Sequence, residues 1–363
     1  MSAAQSKIFT GKDSLQHLSK FFSAKAYSQV FVLVDENTLK HCYPKIKKLL
    51  PKHSVIQIKS GEKNKTLATC EIVWKKLTDE NADRKTLLIN LGGGVIGDLG
   101  GFAAGCYKRG IKFINIPTTL LAMVDASVGA KTGIDFKGFK NQIGLFNEPE
   151  AVFIHTEFLK TLPERELKAG LAEVIKHYLI ADQKEFVRFG NLFSPWRRKK
   201  KITLHELNWD LLIKKNVAIK SKIVANDKFE TGMRKALNFG HTIGHAIETY
   251  FLNRGIKILH GEAVAAGIVC ESHISLQKKL ITEDDFNTIG GLTNCFIRPL
   301  PKVNGRAIPK ILRLIKQDKK NLKSKNQFTL LKGIGNYTID NNVDEAVIAK
   351  ALYDHYNTTF YNF

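Results

Sequence analysis

The sequence predicts two domains of different class, an α/β domain over residues 1–160 built on a parallel sheet and a mainly α-helical domain over residues 161–363. Three observations carry this. Short apolar, β-branched runs alternate with helix-like stretches in the first half, and one of those runs leads straight into a glycine turn. After Leu162-Pro163-Glu164-Arg165 the hydrophobic period becomes helical. A chain of 363 residues, 44% hydrophobic and 25% charged, is long and apolar enough for a core in each domain.

In order along the chain, Gln29 to Asp35 (QVFVLVD) and Ser54 to Ile58 (SVIQI) read as buried parallel strands. Lys65 to Asn81 reads as a helix. Lys85 to Leu91 is a third strand that runs directly into glycines, the order of a βαβ unit. A fourth run, Lys112 to Pro117, is followed by a glycine-rich segment to about Phe146. From Glu164 onward the stretches are long and amphipathic, with few strand-like runs before Gln327-Phe328-Thr329-Leu330-Leu331. Asn191 to Leu204 holds Pro195, Trp196 and five consecutive basic residues, Arg197 to Lys201, and reads as an exposed loop or insertion.

Composition removes several function classes. No run of 18 apolar residues is present, and the opening MSAAQSKIFTGKDS lacks the regions of a signal peptide, so a cytoplasmic protein with no membrane partner is expected. The five cysteines are odd in number and free of any CxxC, which argues against a disulfide framework or a cysteine zinc knuckle and predicts free, mostly buried thiols. The formal charge of +22 fits either a nucleic-acid surface or an attraction for anionic small molecules. Much of it lies in scattered clusters, Lys45 to Lys48, Arg197 to Lys201 and Lys319-Lys320, with no basic-aromatic motif around them. A solvated surface is therefore the plain reading, and no nucleic-acid partner is expected.

Gly92-Gly93-Gly94-Val95-Ile96-Gly97-Asp98 satisfies G-x-G-x-x-G directly after a predicted strand, where glycine lets a dinucleotide pyrophosphate approach a helix amino terminus. A tight turn without ligand would look the same. The ribose-binding acid usual about 20 residues downstream is missing, since Ile116-Pro117-Thr118-Thr119 stands there, so this is no ordinary Rossmann domain. Asp35 ends an earlier strand and Asn37 follows it; either would reach ribose hydroxyls if that strand neighbours the turn.

His241 and His245 are four apart, on one face of a helix, and His260 opens another helix. Glu173 and Lys176 lie three apart on a helix spanning Leu171 to Ile180. Two imidazoles and one carboxylate would leave a divalent metal with positions open to substrate oxygens. Spacing alone does not choose among the donors, because Glu248, Glu262, His177 and His273 compete for the same role.

The blocks GGGVIGDLGGF (92–102), RGI (109–111), PTTLLAMVDASVG (117–129), KTG (131–133), KNQIG (140–144), TLPERE (161–166), AEVIK (172–176), LNFGHTIGHAIE (237–248), HGEAVAAG (260–267) and DKK (318–320) occur in one order. Together they resemble 3-dehydroquinate synthase, of the sugar phosphate cyclases, over most of residues 60–335. The resemblance implies a Rossmann-like amino-terminal domain, a helical carboxy-terminal domain and a cleft between them. It also implies bound NAD, one catalytic zinc or cobalt ion, a homodimer, and 3-deoxy-D-arabino-heptulosonate 7-phosphate as substrate.

Matched motif by motif, Glu173, His241 and His260 are the metal ligands of the resemblance and His245 faces substrate. The nucleotide is lined by Gly61, Glu62, Lys65, Gly93 to Gly97 with Asp98, Thr118, Thr119, Lys131, Lys140 and the run Phe158-Leu159-Lys160-Thr161-Leu162. Substrate contacts fall to Arg109, Asp125, Lys131, Asn141, Lys176, Lys220, Arg234, Asn238, His245 and Lys320, or Lys319 if the register slips. Several fixed cations suit a substrate carrying both a phosphate and a carboxylate.

The implied reaction oxidises the C5 carbinol transiently with NAD, eliminates phosphate, returns the hydride, opens the ring and closes the carbocycle by an aldol step. His245 is the expected proton relay. The sequence departs from the family pattern at Ala130, where glycine is usual, at His155, where an acid is usual, and at Asp135 to Phe139. The nearest rival activities are those of sister cyclases, 2-epi-5-epi-valiolone synthase and 2-deoxy-scyllo-inosose synthase. A metal-dependent polyol dehydrogenase is more remote, and KNQIG and DKK argue against it.

Overall fold

The structure is a computed structural model that describes residues 6–24, 26–193, 204–296, 300, 301, 303, 306–318 and 327–357. The basic segment Arg197 to Lys201 and the expected substrate residue Lys320, with Lys319, lie outside the described residues. The chain divides into two compact units, one formed by Met1–Leu167 with Asn208–Ser221 and the other by Lys168–Leu207 with Lys222–Phe363.

The first unit contains β1 (Lys7–Thr10), α1 (Gln16–Ser23), β2 (Val30–Asp35), α2 (Glu36–His41), α3 (Tyr43–Ile46), β3 (Ser54–Ile58), α4 (Leu67–Asp79), β4 (Leu87–Gly92), α5 (Gly94–Cys106), β5 (Lys112–Pro117), β6 (Lys131–Phe136), β7 (Phe139–Phe146) and β8 (Ala151–Ile154). Six of the strands form one sheet in the order β1-β8-β5-β4-β2-β3, parallel throughout. β2 and β4 are buried almost end to end because both faces of the sheet are covered, which is why they read as apolar runs, interrupted in β4 only by the buried Asn90. Phe31, Leu33, Leu88, Ile96 and Leu99 belong to the core packed between the sheet and α4 and α5. From β2 the chain goes outward to β3, then returns to the other side of β2 for β4 and continues to β5. The strand order thus reverses between β2 and β4, where open α/β sheets bind ligands beyond their carboxyl ends.

The glycine-rich segment 118–146 is more ordered than its composition suggests. It forms a π-helical turn, Ala122–Ala126, and the antiparallel hairpin β6-β7. Gly133 and Gly144 sit opposite each other, and a Cβ on either would come within 2.7 and 2.5 Å of carbonyl oxygens across the ladder. The departure from the family pattern at Asp135 to Phe139 is the hairpin's turn, with Lys137 and Gly138 both left-handed (φ 48° and 81°), the geometry of a type I′ turn. Ala130, where the family favours glycine, also has a positive φ of 60°.

The remaining elements are α6 (Glu164–Ala181), α7 (Gln183–Phe193), α8 (Trp209–Asn226), α9 (His241–Leu252), α10 (His260–Gln277), α11 (Glu283–Phe296), α12 (Ile308–Asp318), β9 (Gln327–Leu331), β10 (Tyr337–Asn342) and α13 (Glu345–Asn357). Asn191 to Phe193 are the last turn of α7 and Leu204 opens a 3₁₀ turn, so both ends of the expected exposed loop are helical; residues 194–203 lie outside the described residues. The second unit's core joins α9, α10, α12, α13 and β9 through Ile243, Ile247, Ile274, Ile311, Phe328 and Leu352. β9 and β10 pair antiparallel. All five cysteines are free thiols; Cys42, Cys70 and Cys270 are buried, whereas Cys106 and Cys295 are exposed. No helix among the described residues is long and apolar enough to cross a membrane.

Candidate functional site

In the second unit three helices present side chains to one point. α6 supplies Glu173, fully buried, while α9 and α10 begin on His241 and His260. Both imidazoles turn Nε2 toward the same Glu173 oxygen, Oε1, at 3.4 Å from His241 and 3.6 Å from His260. Their other nitrogens are held from behind. His241 Nδ1 lies 3.2 Å from the Phe239 carbonyl oxygen, and His260 Nδ1 lies 3.0 Å from Glu248 Oε2. A carbonyl or carboxylate behind each imidazole fixes ring orientation and tautomer, as in protein metal sites. His245, one turn along α9, joins them, so that ligand atoms of His241, His245 and His260 all lie within 4.8 Å of one another.

Close contacts between glycines and main chain make this convergence possible. A Cβ on Gly261 would stand 1.9 Å from the Ala169 carbonyl oxygen, so only glycine lets α10 approach α6 closely enough to set His260 beside Glu173. Gly267 has the same relation to the Gly240 carbonyl oxygen, again 1.9 Å, where α10 meets the start of α9.

Both Glu173 oxygens are buried without a hydrogen-bond partner, although Lys176 Nζ stands 2.6 Å from Oε2. Burial by itself would raise the pKa of this carboxyl, but the charge of Lys176, with His241 next, outweighs burial and holds it well below the usual range. Burial and Lys176 together push His241 below the ordinary histidine range, against the pull of Glu173. An ionised carboxylate and a neutral imidazole are the states that ligate a divalent metal. A buried acceptor left without hydrogen bonds is costly in a protein interior. The donor set and its orphaned oxygen therefore fit a metal ion.

Two of the competing donors have other tasks. Glu262 accepts from the Leu259 amide at 2.8 Å and so caps α10, and His273 lies 3.6 Å from Asp354. Glu248 stands behind His260 as a support.

The glycine turn of the first unit links β4 to α5, with Gly93 as the N-cap and no side chain capping the helix. Gly92 and Gly93 are there for packing, since a Cβ on Gly92 would meet Ile96 at 2.4 Å and one on Gly93 would meet Thr119 at 3.0 Å. Gly97 and Gly61 face open space, with nothing within 4 Å of an added Cβ. The open position at Gly97, on the first turn of an uncapped helix, suits a nucleotide's phosphates. Val95 is partly exposed on the same first turn, and Thr118 donates its amide to the Gly92 carbonyl oxygen at 3.0 Å.

Asp35 ends β2, the strand next to β4, but its carboxylate caps α2 by accepting from the Thr38 amide at 2.8 Å; Asn37 is exposed on α2. Lys65, almost wholly buried, donates to Asp98 and to Asn141, and Lys140 pairs with Glu62 at 2.8 Å. Burial would lower the Lys65 pKa, but Asp98, helped by Glu62 and Asp135, outweighs it and keeps the lysine charged. Phe158 to Leu162 form a 3₁₀ turn and its exit. Phe158 lies under Lys45 (5.7 Å), Leu159 accepts from the Leu162 amide, Lys160 pairs with Glu157, and Thr161 donates to the Phe158 carbonyl oxygen.

Among the expected substrate residues, Lys220 contacts Asp125 twice, 2.8 Å from its carboxylate and 2.7 Å from its carbonyl oxygen. Lys131 is exposed at the start of β6. Arg109 is exposed in a left-handed conformation (φ 69°), the middle of three such residues with Lys108 and Gly110. Arg234 is buried, and Asn238 donates to Glu230 at 2.6 Å. Asp227 was not read from the sequence. It accepts from the Gly232 and Arg234 amides at 2.8 and 3.0 Å and shapes the loop before Arg234. Only its place seven residues before an arginine could have pointed to it.

The family models described as 3-dehydroquinate synthase N-terminal and C-terminal match residues 55–169 and 170–321. The chain belongs to the 3-dehydroquinate synthase family. A 3-dehydroquinate synthase of Parabacteroides distasonis is 38% identical over 359 residues, 98% of this chain and 99% of that protein. Among solved structures, the 2-epi-5-epi-valiolone synthase ValA of Streptomyces hygroscopicus subsp. jinggangensis 5008, with NAD+ and Zn2+ bound, superposes with a TM-score of 0.84 at 24% identity over 98% of each chain. A 2-deoxy-scyllo-inosose synthase complexed with carbaglucose-6-phosphate, NAD+ and Co2+ gives a TM-score of 0.79 at 26% identity over 96% of each chain. The sister cyclases thus share the fold, while the higher sequence identity lies with the 3-dehydroquinate synthase family itself.

Proposed function

We propose that the chain converts 3-deoxy-D-arabino-heptulosonate 7-phosphate to 3-dehydroquinate and inorganic phosphate. One observation carries the reading beyond family membership: two imidazoles, each held from behind, converge on a buried carboxylate oxygen that no hydrogen bond satisfies. Glu173, His241 and His260 hold zinc or cobalt. NAD lies at Gly93 to Asp98 with Gly61, Glu62, Lys65, Thr118, Thr119 and Lys140. When bound, the metal polarises an alcohol oxygen of the substrate and the nucleotide accepts and returns a hydride.

The chain's own residues do the rest. Arg109, Lys131, Lys176, Lys220 and Arg234 offer fixed positive charge to phosphate and carboxylate, Lys320 joins them by the resemblance alone, and Asn141, Asn238 and Asp125 orient hydroxyls. His245, half-buried with its ring centroid 5.2 Å from that of His241, takes and returns protons through an imidazole nitrogen. Holding the opened ring in one conformer favours aldol closure over side reactions. The protein acts in the cytoplasm as a homodimer; sedimentation at a mass of two chains checks the latter.

The deciding experiment measures phosphate release from the heptulosonate phosphate, with sedoheptulose 7-phosphate in parallel. Turnover of the former, abolished by a chelator and restored by Zn2+ or Co2+, is the expected result. Turnover of sedoheptulose 7-phosphate alone would move the chain to a sister activity.

A further inference from the structure

Glu271 is wholly buried in α10, far along the helix from His260, and none of the family motifs above includes it. Its carboxylate is spent on the main chain of another helix. Oε2 accepts from the Gly240 amide at 2.7 Å and Oε1 from the Ile243 amide at 3.0 Å. Those two amides bracket His241, the first residue of α9. The N-cap position itself is Gly240, left-handed at φ 79°, which has no side chain to cap the helix. A carboxylate from a neighbouring helix therefore does the capping, and its negative charge suits the positive end of α9.

The packing around it is built for this reach. Gly267, one turn before Glu271 on the same face of α10, lets the Gly240 carbonyl approach to where a Cβ would collide. At the other side, the Ser275 hydroxyl donates to the Glu271 carbonyl oxygen and accepts the Leu331 amide of β9, which fixes the Glu271 turn of α10 to the sheet. The chain of contacts runs β9, α10, Glu271, α9 start, His241.

We propose that Glu271 is a positioning residue for the metal site, setting the first turn of α9 so that His241 faces Glu173. The inference rests on the proposed metal role of Glu173, His241 and His260. It differs from an ordinary cap in its consequence, because a cap that only holds the fold would leave the folded protein's metal affinity untouched.

The test titrates the metal-free full chain with Co2+, following visible ligand-field absorption, and reads the unfolding midpoint of the same metal-free samples. Glu271→Gln keeps the shape but turns an amide NH2 toward a main-chain N–H, so one of the two bonds is lost. The expected result is Co2+ binding weakened about tenfold to a hundredfold with a shifted absorption band. Glu271→Asp, which keeps the charge but reaches less far, should fall between it and the unaltered chain. Lowered unfolding midpoints with unchanged Co2+ affinity and spectrum would overturn the proposal. So would loss of folding in both variants, since Glu271 would then serve the fold and not the site. Failure of the unaltered chain to bind Co2+ would instead remove the metal reading on which the inference stands.

Discussion

The region of the second unit proposed to hold the metal and the glycine turn of the first solve opposite problems. Around Glu173 the protein brings donors together and leaves a buried oxygen unsatisfied, with each imidazole braced by Phe239 or Glu248. Around Gly92 to Asp98 the charged groups are matched among themselves, Lys65 with Asp98 and Lys140 with Glu62, and Lys65 also donates to the Asn141 side chain. The first arrangement is preorganised for a cation and costs stability until one binds. The second is held by ion pairs, and a dinucleotide bound there, as proposed, would compete with acids already in contact with the lysines. Glycine serves both, but at helix crossings in one and at a strand-to-helix turn in the other.

The comparison can be broken by placing a methyl group at each kind of close approach. Gly261→Ala should have the larger effect, because the new Cβ would meet main chain, the Ala169 carbonyl oxygen at 1.9 Å, and neither helix can yield without moving His260 from Glu173. A loss of about 3 kcal/mol in stability and of about a hundredfold in Co2+ affinity is expected, read by denaturant unfolding and metal titration. Retained affinity at full stability would mean that the approach of α10 to α6 does not set the site.

Gly100→Ala is the counterpart in the first unit. The added Cβ would stand 2.0 Å from Asn90 Oδ1, on a buried side chain that donates to Asn115 at 3.0 Å. A side chain can yield where main chain cannot, so the expected cost is smaller, about 2 kcal/mol. NAD binding, measured by fluorescence titration, should weaken while Co2+ affinity stays within twofold. A matching fall in Co2+ affinity would show that the two regions are not independent.

How much of this was legible in the sequence differs between the regions for a physical reason. β2 is a continuous apolar run up to its last residue, and β4 and β5 are apolar apart from Asn90, Lys112 and Asn115, because the sheet is covered on both faces, and a pattern of that kind survives in one dimension. β1 and β8 have four residues each and pair across more than 140 positions, so no local period marks them. The hairpin β6-β7 was hidden by Gly133 and Gly144, which break the strand pattern because the opposing backbones come close. Helical spacing put His241 and His245 on one face. It could not choose among Glu173, Glu248, Glu262, His177 and His273, since that choice depends on which helices cross, and the motif resemblance made it. Glu271 and Asp227 were invisible for a related reason: each acts on main-chain amides, which carry no residue-specific signal.

The smallest expected effect falls on a buried unsatisfied polar atom of the second unit that lies outside its candidate site. His355 on α13 has a buried Nδ1 with no partner, and burial pushes its pKa down to about 4. A histidine that is harder to protonate when folded binds fewer protons than the unfolded chain between that value and about 6.5. The stability it contributes is therefore present above about pH 6.5 and lost as pH falls through about 4. Unfolding free energies measured without metal, from pH 7.5 down to 4.5, should fall more steeply for the unaltered chain than for His355→Phe. The residue as a whole is only half-buried, so the difference at the acid end is about 1 kcal/mol, below the roughly 2.7 kcal/mol of a fully expressed shift. The difference between the two proteins isolates His355 from every other group that titrates in that range. Parallel curves would mean that the ring reaches water when it is charged.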